Sequence, residues 1–172
     1  MNSVLHFALC DCILPAMNHL VSVIGGNSAS SEEGAFAFRL GLLLAEAGFT
    51  VVCGGGAGVM EAVSRGCDSA GGTVIGILPG EDAGSGNRFL SFTIPTGMGA
   101  SRNRIIALSG QVVCAVGGSY GTLSEIAFSL QAGKPVCCFG SWKDLPGVVQ
   151  VNTPEEAVEF VLRNTERNNA NH

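Results

Sequence analysis

The sequence predicts an α/β protein, a Rossmann-like doubly wound and mostly parallel sheet with helices on both faces. Two observations lead there. Short apolar runs rich in valine alternate with segments whose apolar residues recur at helical spacing. Glycine clusters at residues 25–26, 54–56 and 117–121 stand where a run gives way to a helix. Strand then helix, repeated, implies right-handed crossovers and a parallel sheet covered on both sides.

Leu20 to Ile24 reads as the first strand. After Gly25-Gly26-Asn27, Ser30-x-x-Glu33 is a capping-box pattern that opens a helix carrying Phe36, Leu40, Leu43 and Ala47, ended by Gly48. Thr50 to Cys53 is the second strand, and Gly54-Gly55-Gly56 turns into a helix through Val59, Ala62 and Val63 that stops near Gly71-Gly72. Thr73 to Leu78 is the third strand, and Pro79 to Arg88 reads as an exposed loop over the site that the strand ends create. A short strand at Phe92 to Ile94 and a helix over Ser101 to Leu108 follow. Gln111 to Val116 is the next strand, and Leu123, Ile126, Ala127 and Leu130 mark the helix after it. Lys134 to Phe139 is a strand, Asp144 to Gly147 a turn, and Val148 to Val151 a last short strand. Thr153-Pro154-Glu155-Glu156 starts the final helix, with threonine as cap, proline in first position and Glu156 closing the box. The polar tail after Arg163 is expected to fray. In the first helix, Phe36, Phe38, Leu40, Leu42, Leu43 and Leu44 cover too many sides for a surface helix, so it is either an interface or cover for the sheet.

At 172 residues the chain fits one domain, taken as residues 20–165, with 1–19 an N-terminal extension outside the core and 166–172 a polar tail. Val4 to Ala16 is apolar but contains Asp11 and has no basic residue before it, so it makes a poor signal peptide and is too short for a membrane span. Met17 is read as an alternative start. Charged residues make up 13% of the chain, against about 25% in a typical soluble domain, which predicts a homodimer or homotetramer. A net charge of −5, with no basic tract, argues against nucleic acid and membrane partners. Cysteines number seven, an odd count, and Cys53, Cys114, Cys137 and Cys138 lie in apolar runs, as in a reduced, cytoplasmic protein. Cys10-x-Cys12 lacks a second cluster, and no metal ligated by the protein is expected.

Ligands of doubly wound sheets bind beyond the carboxyl ends of the strands, where strand order reverses. The three glycine clusters follow strands and therefore gather at that edge. The densest lies in Val116-Gly117-Gly118-Ser119-Tyr120-Gly121-Thr122-Leu123-Ser124-Glu125, between a strand and a helix. Glycine lets the backbone approach an anion, and the first helical amides are unpaired donors at the positive end of the dipole. The expected partner is a phosphorylated small molecule.

Two roles are open for Glu125. Three residues after Thr122, it fits a capping box with the Thr122 amide; pointing into the cleft, it would accept a ligand hydroxyl or stabilise developing positive charge. Glu61 poses the same question one cluster earlier. Arg102 and Arg104 begin a helix, where cations oppose the dipole, so Arg102 is read as serving an anion through its planar fork. The alternative is a surface arginine paired with Glu61 or Asp68. The histidines are His6, His19 and His172, all outside the predicted core, which argues against a Ser-His-Asp triad. Neither the P-loop nor the Gly-x-Gly-x-x-Gly fingerprint is present.

Gly54-Gly55-Gly56-Ala57-Gly58-Val59-Met60, Ser101-Arg102-Asn103 and Gly117 to Glu125 together resemble the family once named lysine decarboxylases, over roughly residues 20–162. That family contains the LOG-type cytokinin-activating phosphoribohydrolases and the molybdenum cofactor carrier proteins. In the hydrolase branch, the resemblance implies that Glu125 and Arg102 are a catalytic pair that cleaves the N-glycosidic bond of a nucleoside 5'-monophosphate such as AMP, with Gly118, Gly121 and Thr122 at the phosphate. Val116 stands where that branch has proline, and Ser101-Arg102-Asn103 lacks its acid and lysine around the arginine. With Gly-Val-Met-Glu after the second strand, these departures are more similar to the carrier branch, whose members bind the phosphorylated pterin without transforming it. The resemblance thus implies a carrier of molybdenum cofactor, with the hydrolase as alternative. Its binding residues would be Gly25, Gly26, Gly54, Gly55, Gly56, Gly58, Met60, Arg102, Gly117, Gly118, Ser119, Gly121, Thr122 and Glu125. Decarboxylation would need a pyridoxal-binding lysine, and the chain has only Lys134 and Lys143.

Overall fold

The β-branched and small apolar runs become seven strands: β1 (Leu20–Gly25), β2 (Thr50–Cys53), β3 (Val74–Leu78), β4 (Phe92–Pro95), β5 (Val112–Val116), β6 (Val136–Phe139) and β7 (Val148–Gln150). The structure is a computed structural model that describes residues 20–142 and 144–169. The expectations for residues 1–19, including Cys10, Cys12 and Met17, lie outside the described residues. The strands form one sheet in the order β4-β3-β2-β1-β5-β6-β7. Every neighbouring pair is parallel, so the sheet is wholly rather than mostly parallel. Strand order reverses at β1, where Ser22 is paired with Val52 on β2 and with Val113 on β5.

Among the described residues there are five α-helices: α1 (Ser31–Glu46), α2 (Val59–Ser69), α3 (Asn103–Ser109) and α4 (Tyr120–Gln131) connect strands, and α5 (Pro154–Asn169) follows the last. Alternation along the strands sorts the core into two layers. Val21, Val23, Cys53 and Cys114 pack under α1, α2 and α5, while Ile24, Val52, Val113 and Cys138 pack under α3 and α4. This is a Rossmann-like doubly wound fold. Ser22, fully buried, is satisfied by donating to the Ile106 carbonyl and accepting from the Gly110 amide. Cys53, Cys67, Cys114, Cys137 and Cys138 are free thiols and buried, as small core hydrophobes. Among the described residues no helix is long and apolar enough to cross a membrane.

The apolar excess of α1 serves intramolecular cover. Phe36, Leu40 and Leu44 are buried in the layer against the sheet, and Phe38, Leu42 and Leu43 are half-buried. Gly41 and Gly66 let α1 and α2 touch backbone to backbone: a Cβ on either would overlap the carbonyl of Val63 or Phe38 on the facing helix.

The structure departs from the sequence reading in two elements. The segment read as one helix over Ser101 to Leu108 is a 3-10 turn, Gly99–Arg102, running into α3. Gly97 and Gly99, at φ of 64° and 54°, wind the chain into that tight turn. The last helix does not fray after Arg163 but continues to Asn169. Ala157, Val161 and Thr165, four residues apart, keep one stripe buried, and the Thr165 hydroxyl donates back to the Val161 carbonyl at 3.0 Å.

Candidate functional site

Beyond the carboxyl ends of β1 and β5, at the point of strand reversal, lies an open cleft of about 210 Å³. Its walls are Ile24 to Asn27 at the end of β1 and just past it, Gly54 after β2, Met60 on α2, Arg102 and Asn103 at the start of α3, and Ser119, Gly121, Thr122 and Glu125 at the start of α4. It is smaller than the about 300 Å³ at which pockets begin to enclose a whole small ligand, so it suits one end of a larger molecule.

Arg102 and Glu125 face each other in the cleft. Arg102 Nη1 lies 3.4 Å from Glu125 Oε1, with side-chain exposures of 12% and 7%. Nη1 also donates to Asn103 Oδ1 at 2.7 Å and Nη2 to the Gly54 carbonyl at 3.4 Å. Nε of Arg102 is buried with no hydrogen-bond partner among the described residues. Burial pushes the Glu125 carboxyl up to about 7, against the opposing pull of Arg102. Burial also lowers the Arg102 guanidinium, which Glu125 partly offsets. The site therefore holds a cation with spare donors beside a carboxyl able to keep or release its proton near neutrality.

The capping-box reading of Glu125 is corrected. Helix α4 begins at Tyr120 with Ser119 as cap, so Thr122 already lies inside its first turn and Glu125 sits in the second. The carboxylate turns to Arg102 instead of the helix end. Arg102 does not pair with Glu61 or Asp68; its ion pair is with Glu125. Arg104 lies over the Phe128 ring, 5.5 Å from its centre.

Of the glycines singled out in the sequence, Gly25, Gly26, Gly54 and Gly121 line the cleft, and Gly55, Gly56, Gly58, Gly117 and Gly118 do not. The last two meet packing demands. Gly117 and Gly118 have φ of 51° and 86°, and a Cβ there would overlap the Glu33 carboxylate or the Thr122 hydroxyl. Gly121 is different. Its backbone is helical, and the only neighbour within 4 Å of a Cβ is Asn103 Nδ2, at 3.7 Å, so packing does not require glycine. What its missing side chain keeps open is the cleft.

Sequence reasoning missed Asn103 and Asn27 as wall residues. Asn103, 9% exposed, accepts from Arg102 and donates to the Gly121 carbonyl at 3.3 Å and Ser124 Oγ at 3.1 Å. It ties the arginine to the first turn of α4. Its adjacency to Arg102 was the one available signal. The Pro79–Arg88 loop is exposed except around Asn87, whose side chain donates to the Gly55 and Gly56 carbonyls at 3.3 and 3.0 Å.

Fold and cleft together define a doubly wound protein with a cationic, donor-rich site at the strand-order switch. The chain matches the SLOG cluster 4 family over residues 18–169 and belongs to it. An uncharacterized protein of Archaeoglobus fulgidus is 41% identical over 142 residues, 83% of this chain and 93% of that one. The molybdenum cofactor binding protein of the phototrophic bacterium Rippkaea orientalis is similar at 34% identity and a TM-score of 0.80, covering 84% of this chain and 95% of its own. The molybdenum cofactor carrier protein of Chlamydomonas reinhardtii is similar at 30% identity and a TM-score of 0.76, covering 84% and 97%.

Proposed function

We propose that this protein carries molybdenum cofactor, binding its phosphate-bearing end in the cleft between β1 and β5. The observation that carries this reading is the largely buried Arg102 guanidinium, whose Nε is unpartnered among the described residues and whose one short bond, from Nη1 to Asn103 Oδ1, is joined only by 3.4 Å contacts from Nη1 to Glu125 and from Nη2 to Gly54. A buried cation with spare donors is the natural partner of an anion. The open first turn of α4 and the bare Cα of Gly121 let a phosphate approach the helical amides. Resemblance to the two cofactor-binding proteins supports molybdenum cofactor as the ligand among phosphorylated molecules. Gly25, Gly26, Gly54, Met60, Ser119 and Thr122 complete the binding wall, and no protein ligand to the metal is needed.

A second reading is favoured by one observation, the Glu125 carboxyl held near 7 beside Arg102. Such a group suits stabilisation of a ribosyl cation or proton transfer in cleavage of a nucleoside 5'-monophosphate. One experiment separates the two. The purified protein is incubated with AMP and assayed for adenine and ribose 5-phosphate, and in parallel with molybdenum cofactor and assayed for its retention and protection from oxidation. Retention without AMP turnover is expected. Turnover lost in Glu125→Ala overturns the carrier reading.

A further inference from the structure

A second concavity, of about 450 Å³, shares Asn27 with the Arg102 cleft and continues it past the Gly54–Gly56 turn. That turn spans at most about 8 Å between its end Cα atoms, so one extended molecule reaches both. The concavity is walled by Gly56 and Ala57, by Glu61 on α2, and by Ser85 to Arg88 on the loop after β3.

The loop wall is built rather than loose. Asn87 Nδ2 donates to two carbonyls of the glycine turn and to Ser64 Oγ at 3.4 Å, while Oδ1 accepts from the Phe89 amide at 3.2 Å. Arg88 is thereby held beside a pinned residue, its guanidinium 4.8 Å from the centre of the Phe89 ring. Three polar groups on these walls are left without partners among the described residues: the half-buried Glu61 carboxylate, the Arg88 guanidinium's hydrogen-bonding edge, and Asn27 Nδ2, whose own Oδ1 is taken by the Ala57 amide at 3.2 Å. Glu61 and Arg88 do not pair with each other.

We propose that this concavity recognises the 2-amino-4-oxopyrimidine edge of a bicyclic heterocycle whose phosphate-bearing end lies at Arg102. That edge presents an amino N–H and a ring N–H side by side, two donors that match the two oxygens of Glu61. Its ring carbonyl is an acceptor that matches an Arg88 N–H. A neutral ring thus engages both charges without either being neutralised by the protein. The inference rests on reading the cleft as the site of a phosphorylated pterin, and it names which part of that ligand sets specificity.

The test titrates the full chain with neopterin, with lumazine (the same bicycle bearing an oxo group in place of the 2-amino group), and separately with inorganic phosphate, by fluorescence and calorimetry. Neopterin is expected to bind about tenfold more tightly than lumazine, the fold-change of one charge-assisted bond. Glu61→Gln should bring that ratio to about threefold or less, and Arg88→Met should weaken neopterin severalfold, both with phosphate affinity unchanged. A wild-type protein that does not distinguish the two bicycles, or a Glu61→Gln variant of unchanged melting temperature that still does, overturns the proposal and leaves the phosphate site standing. Discrimination without phosphate affinity would instead keep the pyrimidine-edge site and remove the cofactor reading.

Discussion

Helices that begin at the carboxyl edge of the sheet start in two different ways. Helices α1 and α5 close their own ends. Ser30 Oγ accepts from the Glu33 amide at 3.2 Å while the Glu33 carboxylate accepts from the Ser30 amide at 2.8 Å. Thr153 Oγ1 accepts from the Glu156 amide at 3.2 Å, and the Glu156 carboxylate reaches back one residue further than a standard box, to the Asn152 amide at 2.7 Å. Helix α4 is not closed: Ser119 occupies the cap position and its side chain makes no capping bond. Helix α2 has as its cap Gly58, which has no side chain to offer, and its first amide, that of Val59, donates to the Gly26 carbonyl. Serine favours capping, worth about 1 kcal/mol, so the idle Ser119 marks stability left unused. Of the ends without a side-chain cap, the one at which a serine stands idle lies beside Arg102, and the two capped ends lie around acidic Glu32 and Glu33. An idle cap serine beside a buried cation is what the proposed anion site requires of this helix end.

The sharpest way to break that comparison is Gly121→Ala. Alanine fits the helical backbone there without a clash and favours a helix over glycine by up to about 1 kcal/mol, so the melting temperature should hold or rise. The added methyl enters the cleft, and affinity for an anion such as sulfate should fall about tenfold, by the loss of roughly one charge-assisted bond. Calorimetry and thermal melts on the same sample check both signs. A variant that binds as tightly as wild type shows that the open end of α4 does not face the ligand.

How much of this was readable in advance depends on whether the cause was local. The capping boxes at Ser30 and Thr153, the strand at 50–53 and the glycine corners follow from neighbours in sequence, and they appear where the spacing places them. Arg102, which lines the cleft, was singled out by its wrong position for the helix dipole. Glu125 was ambiguous because the same Thr-x-x-Glu spacing serves a cap or a cleft. The choice turns on helix α4 starting at Tyr120, two residues before Thr122, and on Arg102 arriving from 23 residues away. The glycines at 117 and 118 looked like anion contacts, yet their neighbours are Glu33 and Thr122, a packing fact that no local pattern contains. Thr165 fell in the stretch expected to fray because threonine's hydroxyl hides how well it packs when it bonds back to its own helix.

Glu125 supplies a smaller effect with a defined sign. Its carboxyl is held up at about 7 in the folded protein, against about 4.3 when unfolded. Between those values the folded state binds more protons, so this group's contribution makes stability fall as pH rises through that window and level off above about 7. Anion affinity follows the same proton, because an ionised Glu125 repels what Arg102 attracts. Sulfate stays a dianion across this range and isolates the effect. Wild type and Glu125→Gln should bind it similarly near pH 6, and wild type should fall behind severalfold by about pH 8. A parallel pH profile in the two proteins removes Glu125 from the anion site.

Ser30→Ala gives the smallest effect on binding and tests the other half of the comparison. Removing the hydroxyl leaves the Glu33 amide without its acceptor and should cost about 1 kcal/mol, a fall of roughly 2–4 °C in melting temperature for a domain of this size. Anion affinity should not change, because the capped end of α1 does not line the Arg102 cleft. There is one route by which it could. The Glu33 carboxylate closes the Ser30 box and also fills the space beside Gly117 that a Cβ would occupy, so loosening the box frees a charge next to the motif turn. Gly117 has its own restraint, its amide donating to the Phe139 carbonyl at 2.8 Å on the neighbouring strand. If that bond suffices, stability falls and sulfate binding holds. If binding weakens along with stability, the closed and open helix ends are coupled through Glu33, and Gly117 is the residue that transmits the coupling.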